Sequence, residues 1–392
     1  MVEKYQNEFY PDTIHDNFIQ TTFLITGGTG FLGMVIVERL LRVFDVKKVY
    51  VLIRLKKDKS PEVRLAEVFA NPLFRKVREL KGEEIFQKCV AIAGDAAEDN
   101  LGLSDEVRDA LKREVEYVIH AAATVRFDEP LRTALLINTK GTLLMLQLAK
   151  EMQKLKCFGY ISTTFCHPEE KVLEEKVYRS KHYPERLIKM LDWLDDKTFG
   201  VMAKSCLDGV PNTYTFSKAL GEDLVADVMD TMPAIILRPS IVMPVWKEPL
   251  PGWSYNIATP VGFVLACGKG IVRTLCCNKD LYVDYTSVDA IADAIFVFCA
   301  HSVINSLWRT QMRILNNMKV LQYYGEREWI FINQNLINMR QLLNPRESSQ
   351  YVLSCTNVDL EDYVMNLISY FRRYVLNEPV ENIPLAKRRM KM

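Results

Sequence analysis

Tyr214 and Lys218 form the single Tyr-x-x-x-Lys pattern of the chain, in Tyr214-Thr-Phe-Ser-Lys218. On a helix the two side chains would share one face, one turn apart. An ammonium beside a phenol favours phenolate and lowers the phenol pKa, which makes a proton donor for a carbonyl under reduction. A chain with 17 tyrosines holds about one such pair by chance, so its position has to carry the argument. The pair opens a helical stretch and precedes an apolar strand ending in Leu237-Arg-Pro-Ser240. A hydroxyl partner at the end of an earlier strand would complete the set. Tyr160-Ile-Ser-Thr-Thr-Phe-Cys166 offers Ser162, Thr163 and Thr164, and residue type alone does not choose among them. His120 and His167 read as packing or turn residues.

A second group of residues points to a dinucleotide. Thr26-Gly27-Gly28-Thr29-Gly30-Phe31-Leu32-Gly33 follows an apolar strand and opens a helix. Gly27 permits the tight turn, Gly30 lets backbone approach a pyrophosphate, and Gly33 lets the helix pack closely. Thr26, Gly27, Thr29, Gly30, Phe31, Leu32 and Gly33 are therefore the expected cofactor contacts. The small residues of His120-Ala-Ala-Ala123 add Ala122, and Lys218 with Tyr214 would hold the nicotinamide ribose. The next strand ends in Arg54, about 20 residues after the glycines, where an NAD enzyme places a carboxylate. A guanidinium there suits a 2′-phosphate, so the expected cofactor is NADPH. Lys56 and Lys57 reinforce the charge.

These residues need a scaffold. Apolar strands at 22–25, 49–53, 88–93, 116–121, 157–162 and 233–238 alternate with helical stretches at 34–44, 61–79, 104–113, 131–153 and 214–230. That order predicts an α/β fold, a Rossmann-type doubly wound parallel sheet. From Val242 to Leu281 proline, glycine and aromatic residues break any period, which predicts a loop-rich substrate region over the crevice. Leu360–Val375 has the spacing of an amphipathic helix and predicts a small helical C-terminal domain. The expected boundaries are 19–300 for the nucleotide domain with its substrate region and 326–380 for the C-terminal domain.

Composition narrows the class. The chain has 392 residues, 49% hydrophobic and 25% charged, with a net charge of +1, which argues against nucleic acid as a partner. Nine scattered cysteines without paired spacing read as reduced thiols in a cytosol-facing protein, and no metal site is expected. The polar N-terminus is not a signal peptide, and no apolar run is long enough to predict a transmembrane helix.

The intervening residues narrow it further. Thr26 to Gly33, Val51-Leu-Ile-Arg54, Gly94-Asp95, Asn100-Leu-Gly-Leu-Ser104, and above all His120-Ala-Ala-Ala-Thr-Val-Arg-Phe-Asp-Glu-Pro-Leu131 resemble the alcohol-forming fatty acyl-CoA reductases. These form the male-sterility family of extended short-chain dehydrogenases. Tyr214-Thr-Phe-Ser-Lys-Ala-Leu-Gly-Glu222, Pro251-Gly-Trp253 and Trp329-Ile-Phe331 continue the resemblance in order. It implies NADPH-dependent reduction of long-chain acyl-CoA to a primary alcohol, with Tyr214 and Thr163 on the carbonyl oxygen. It also implies Asp95 near the adenine and Asn138 organising a proton relay, although the lesser reading of Asp95 is a helix cap and Asn138 also reads as a structural residue. Ser162-Thr-Thr-Phe-Cys-His167 departs from the family's usual S-T-A-Y-C-N, with the first Thr kept. Ala300 to Gly325 joins the two expected domains where the family has a longer connection. Rival readings are a superfamily enzyme for a sterol or sugar nucleotide, or a truncated NADPH-binding form without turnover. The residues leave oligomeric state, organelle and peripheral contact with a peroxisomal or endoplasmic reticulum membrane open.

Overall fold

The computed structural model describes residues 13–304, apart from 56–58, 171, 208, 256–259 and 275–282, and four single positions further on. The chain divides into two units, Met1–Met312 and Arg313–Met392, and the sheet with the helices around it belongs to the first. Leu360–Val375, the C-terminal domain expected at 326–380 apart from those four positions, and Lys56 and Lys57 lie outside the described residues.

Six parallel strands form the sheet: β1 Thr22–Thr26, β2 Lys48–Ile53, β3 Cys89–Ala93, β4 Tyr117–His120, β5 Cys157–Ile161 and β6 Ala234–Leu237. Their order is β3-β2-β1-β4-β5-β6, so the sheet reverses direction of growth between β1 and β4. In an open α/β sheet, ligands bind at the carboxyl ends of the strands beside such a reversal. The central strands are buried on both faces, as parallel strands between helices must be. Phe23 and Ile25 of β1 pack into one core with Val35, Ile36 and Leu40, while Leu24 packs into the other with Leu146 and Phe158. This two-residue alternation is what the apolar run of β1 requires.

The helix after β1, here α1, runs Phe31–Val43, three residues earlier than its periodicity indicates, so Gly33 lies inside it. The stretch at 61–79 is not one helix. It divides into α2 (Pro61–Phe69), a 3₁₀ turn (Pro72–Phe74) and α3 (Arg75–Lys81). Pro72 brings no N–H, and Asn71 accepts the amide of Leu73 instead, starting a new turn. The stretch at 131–153 is also interrupted. Leu131–Ala134 passes into a π-helical segment, Leu135–Lys140, before Gly141–Lys150 resumes α geometry. Inside it, Thr142 Oγ1 donates back to the Asn138 carbonyl at 2.7 Å, and the Asn138 side chain is bonded outside the helix. Such wide turns recur at functional sites.

The region after β6 holds more regular structure than its sequence indicates. Ile241–Met243 pairs in parallel with Tyr285–Ser287, and Pro260–Gly268 is helical. Two further helices, Pro184–Trp193 and Asp196–Cys206, lie between β5 and the helix that carries Tyr214. Among the described residues, no helix is long and apolar enough to cross a membrane.

Candidate active site

The glycine turn is built for close approach. Gly27 has φ +73°, and a Cβ there would lie 2.8 Å from the Ala121 carbonyl carbon and the Ala122 nitrogen. A Cβ on Gly33 would lie 2.1 Å from the Gly27 oxygen, so helix and turn interlock only with glycine at both places. Gly30 caps α1 without a side-chain bond, and no acidic residue occupies the first helical turn. Free amides and the helix dipole there suit a phosphate. Phe31 packs against Trp253 with ring centres 5.6 Å apart, and Trp253 Nε1 donates to Asn71 Oδ1 at 2.9 Å. The proline-glycine-tryptophan loop thus lies against the glycine turn.

Thr26 anchors this turn to the next strand. Its hydroxyl accepts the Ala122 amide at 3.1 Å and lies 2.8 Å from His120 Nδ1. His120 Nε2 lies 3.2 Å from Thr142 Oγ1, whose proton goes to the Asn138 carbonyl. Nε2 must therefore be the donor and Nδ1 the acceptor of the Thr26 proton. Burial, with the Lys218 charge nearby, pushes the His120 pKa down to about 3, so the imidazole is neutral and serves as a link rather than an acid. The chain of bonds joins β1, the end of β4 and the π-helical segment.

Arg54 is exposed at the end of β2. Its carbonyl accepts a bond from Arg64 Nη1 at 2.6 Å. Sequence spacing gave no reason to single out Arg64, because the contact needs α2 to fold back beside β2. Asp95 Oδ1 accepts the Ala97 amide at 3.0 Å, and the Asp95 amide donates to the Leu101 carbonyl. Its carboxylate therefore caps the turn after β3.

Tyr214 lies in the first turn of the helix Thr213–Ala226, which Asn212 caps by accepting the Thr215 amide. Thr163 lies close enough to the phenol to draw its pKa down, and Thr163 Oγ1 accepts the Phe165 amide at 3.3 Å. Of the three candidate hydroxyls, Thr163 is the one whose influence reaches the Tyr214 phenol. Ser162 is buried beside Glu222 and Cys166.

Lys218 does not behave as its spacing predicts. Its ammonium donates to the Ile161 carbonyl and lies 4.1 Å from the centre of the Tyr160 ring. Burial pushes its pKa down to about 7, against the raising influence of Glu222. Tyr214 is not lowered by it. Burial pushes the phenol up to about 12, with Thr163 pulling slightly the other way. The expected phenol–ammonium pairing is thus corrected: the amine reaches the strand end, and desolvation governs the phenol. A phenol held up in this way stays protonated at neutral pH.

Asn138 is buried, and its side chain is engaged on both ends. Oδ1 accepts the Thr124 amide at 2.9 Å, while Nδ2 donates to the Thr124 carbonyl at 3.1 Å and to Ser217 Oγ at 2.9 Å. It pins the loop after β4 to the helix that carries Tyr214.

Glu222 and Arg238 were missed in the sequence. Arg238 Nε and Nη2 grip Glu222 at 2.9 and 2.8 Å. Cys166 Sγ donates to Glu222 at 3.2 Å, and His167 Nε2 lies 3.3 Å from it. Burial would raise the Glu222 carboxyl, but His167 and Arg238 hold it at about 2. Cys166, His167 and Glu222 bring three potential metal ligands together. The guanidinium on the carboxylate and a thiol pushed up by burial oppose a cation there. The cluster ties the loop after Thr163 to the helix of Tyr214 and Lys218.

Residues 25–295 match the NAD-binding part of the family described as "Male sterility protein", and residues 285–378 match a second domain of the same description. The two matches meet with no segment between them. The chain is 29% identical to "Fatty acyl-CoA reductase 1" of Xenopus laevis, covering 94% of this chain and 87% of that protein. That alignment runs over 448 residues against 392 here, so the relative carries internal residues this chain lacks. "Fatty acyl-CoA reductase wat" of Drosophila melanogaster is 36% identical over 72% of this chain and 53% of its own length. Among solved structures, the terminal R domain of the myxalamid PKS-NRPS pathway is similar at 26% identity and a TM-score of 0.50, over 71% of this chain and 61% of that one. The chain belongs to the male sterility protein family.

Proposed function

We propose that this protein reduces long-chain fatty acyl-CoA to a primary fatty alcohol with NADPH. The observation that carries the chemistry is Tyr214 near Thr163, which follows β5, and one helical turn before Lys218. The thioester substrate is supported by the names of the relatives, which are fatty acyl-CoA reductases.

The residues fit a nicotinamide dinucleotide. The amides at the start of α1 would take the pyrophosphate, the Ala121–Ala122 backbone would flank it, and Lys218 would hold the nicotinamide ribose. Arg54 and Arg64 would share the 2′-phosphate, the feature that favours NADPH over NADH. When bound, the cofactor supplies hydride to the carbonyl carbon.

The hydroxyls of Tyr214 and Thr163 would meet the carbonyl oxygen where it gains negative charge as hydride adds. They stabilise that oxyanion. The resulting hemithioacetal collapses, breaking the C–S bond and releasing CoA thiolate and an aldehyde. A second reduction at the same place gives an alkoxide, which takes its proton from Tyr214. The raised phenol pKa keeps that proton available at neutral pH. Mixing the purified protein with NADPH and palmitoyl-CoA, and following absorbance, free thiol and alcohol, tests the reading. NADPH bound without turnover of any acyl-CoA would refute it.

A further inference from the structure

The loop after β4 has a fixed base and an apolar tip. At the base, Asn138 bonds both the amide and the carbonyl of Thr124. Thr124 Oγ1 donates to Glu129 at 2.9 Å, and Thr213, the residue before Tyr214, donates to the Glu129 carbonyl at 2.9 Å. Both ends of the loop are therefore tied to the catalytic helix or to Asn138. At the tip, Val125 is 64% exposed and Phe127 is 66% exposed. The flanking charges, Arg126 and Asp128, are bonded to each other at 3.1 and 3.2 Å.

The position of the ring matters more than its exposure. Phe127 lies against Tyr214, with ring centres 5.9 Å apart and planes at 38°. Phe165 gives its amide to Thr163 Oγ1 and is 47% exposed. An exposed ring thus lies against Tyr214, and a second exposed aromatic residue is tied through its backbone to Thr163. Scattered apolar residues on a surface need no explanation, but an exposed ring held against Tyr214 does. A loop held at its base and apolar at its tip is built to contact an apolar ligand.

We propose that Phe127 is a specificity-determining residue that receives the acyl chain where it leaves the carbonyl at Tyr214, so that the loop selects apolar acyl groups. Covering the ring with methylenes removes apolar surface from water on both partners, and a short acyl group covers little of it. The proposal rests on the acyl-CoA reading, and its test separates the two.

Steady-state kinetics would compare the unmodified protein, Phe127→Ala and Phe127→Leu with palmitoyl-CoA and butyryl-CoA. Phe127→Ala should lower kcat/KM about tenfold for palmitoyl-CoA and about twofold or less for butyryl-CoA, with Phe127→Leu recovering most of the loss. NADPH affinity should not change. Equal losses for both substrates would mean that the ring only supports Tyr214, and no loss would mean that it does not touch substrate; either overturns the proposal. A second measurement does not need turnover. Phe127→Trp should shift its fluorescence to shorter wavelength with palmitoyl-CoA and not with free CoA, after subtraction of the unmodified protein. That shift without turnover would uphold the placement of the acyl chain while refuting the reductase. Neither shift nor turnover would overturn both.

Discussion

The Lys218 ammonium lies 4.1 Å from the centre of the Tyr160 ring, buried under the strand end that leads to Thr163. The amine ordinarily titrates at 10.5 and is pushed by burial to about 7. Between about 7 and the unfolded value the unfolded chain holds a proton that the folded chain has released, so stability rises with pH across that window. Below about 7 the fold carries the buried charge in full. Lys218→Met should therefore be more stable than the unmodified protein near pH 6, by roughly a few kcal/mol, with the gap closing toward pH 10. Urea melts across that range check it. A gap that does not change with pH would contradict the buried charge.

Tyr214→Phe removes the proposed proton donor and leaves the glycine turn intact. Turnover should fall about a hundredfold or more while NADPH still binds. Normal turnover by this variant would assign the proton to another group.

Arg54 and Arg64 meet at the end of β2, the Arg64 guanidinium on the Arg54 carbonyl. NADPH should be preferred over NADH by at least about tenfold, since one charge-assisted contact contributes roughly 1.5–3 kcal/mol. Arg54→Ala and Arg64→Ala should each erode that preference through the NADPH KM alone. Equal kcat/KM for both cofactors in the unmodified protein would remove the role.

Arg238 pairs with a carboxylate buried among Cys166, His167 and Ser162. Arg238→Met would leave Glu222 as an uncompensated buried charge, at a cost of about 3–5 kcal/mol. Arg238→Met with Glu222→Leu should recover much of that loss, because the unpaired charge is gone. A single variant as stable as the unmodified protein would show that the pair adds nothing.

The sheet was legible because parallel strands buried on both faces read as continuous apolar runs, and Gly27, Gly33 and Arg54 follow from local backbone and charge. Pro72 marks the break at 61–79 in plain sight. The π-helical turn at Asn138 is not visible in periodicity, since it coincides with side-chain bonds to Thr124 and Ser217, distant in sequence. Helical spacing puts Lys218 near Tyr214, but the direction of a long flexible amine depends on the Ile161 carbonyl and the Tyr160 ring. Arg64, Arg238 and Phe127 become notable only when α2, β6 and the loop after β4 arrive beside residues already singled out.

The central claim is that Tyr214 and Thr163 act on the carbonyl of a long-chain acyl-CoA. The most direct measurement follows NADPH oxidation, CoA thiol release and alcohol formation from palmitoyl-CoA, in the unmodified protein beside Tyr214→Phe and Thr163→Val. The account predicts fatty alcohol from the unmodified protein, with one thiol released for every two NADPH oxidised, and strong loss in both variants. NADPH oxidation with no acyl-CoA, or alcohol formed equally well by Tyr214→Phe, would contradict it.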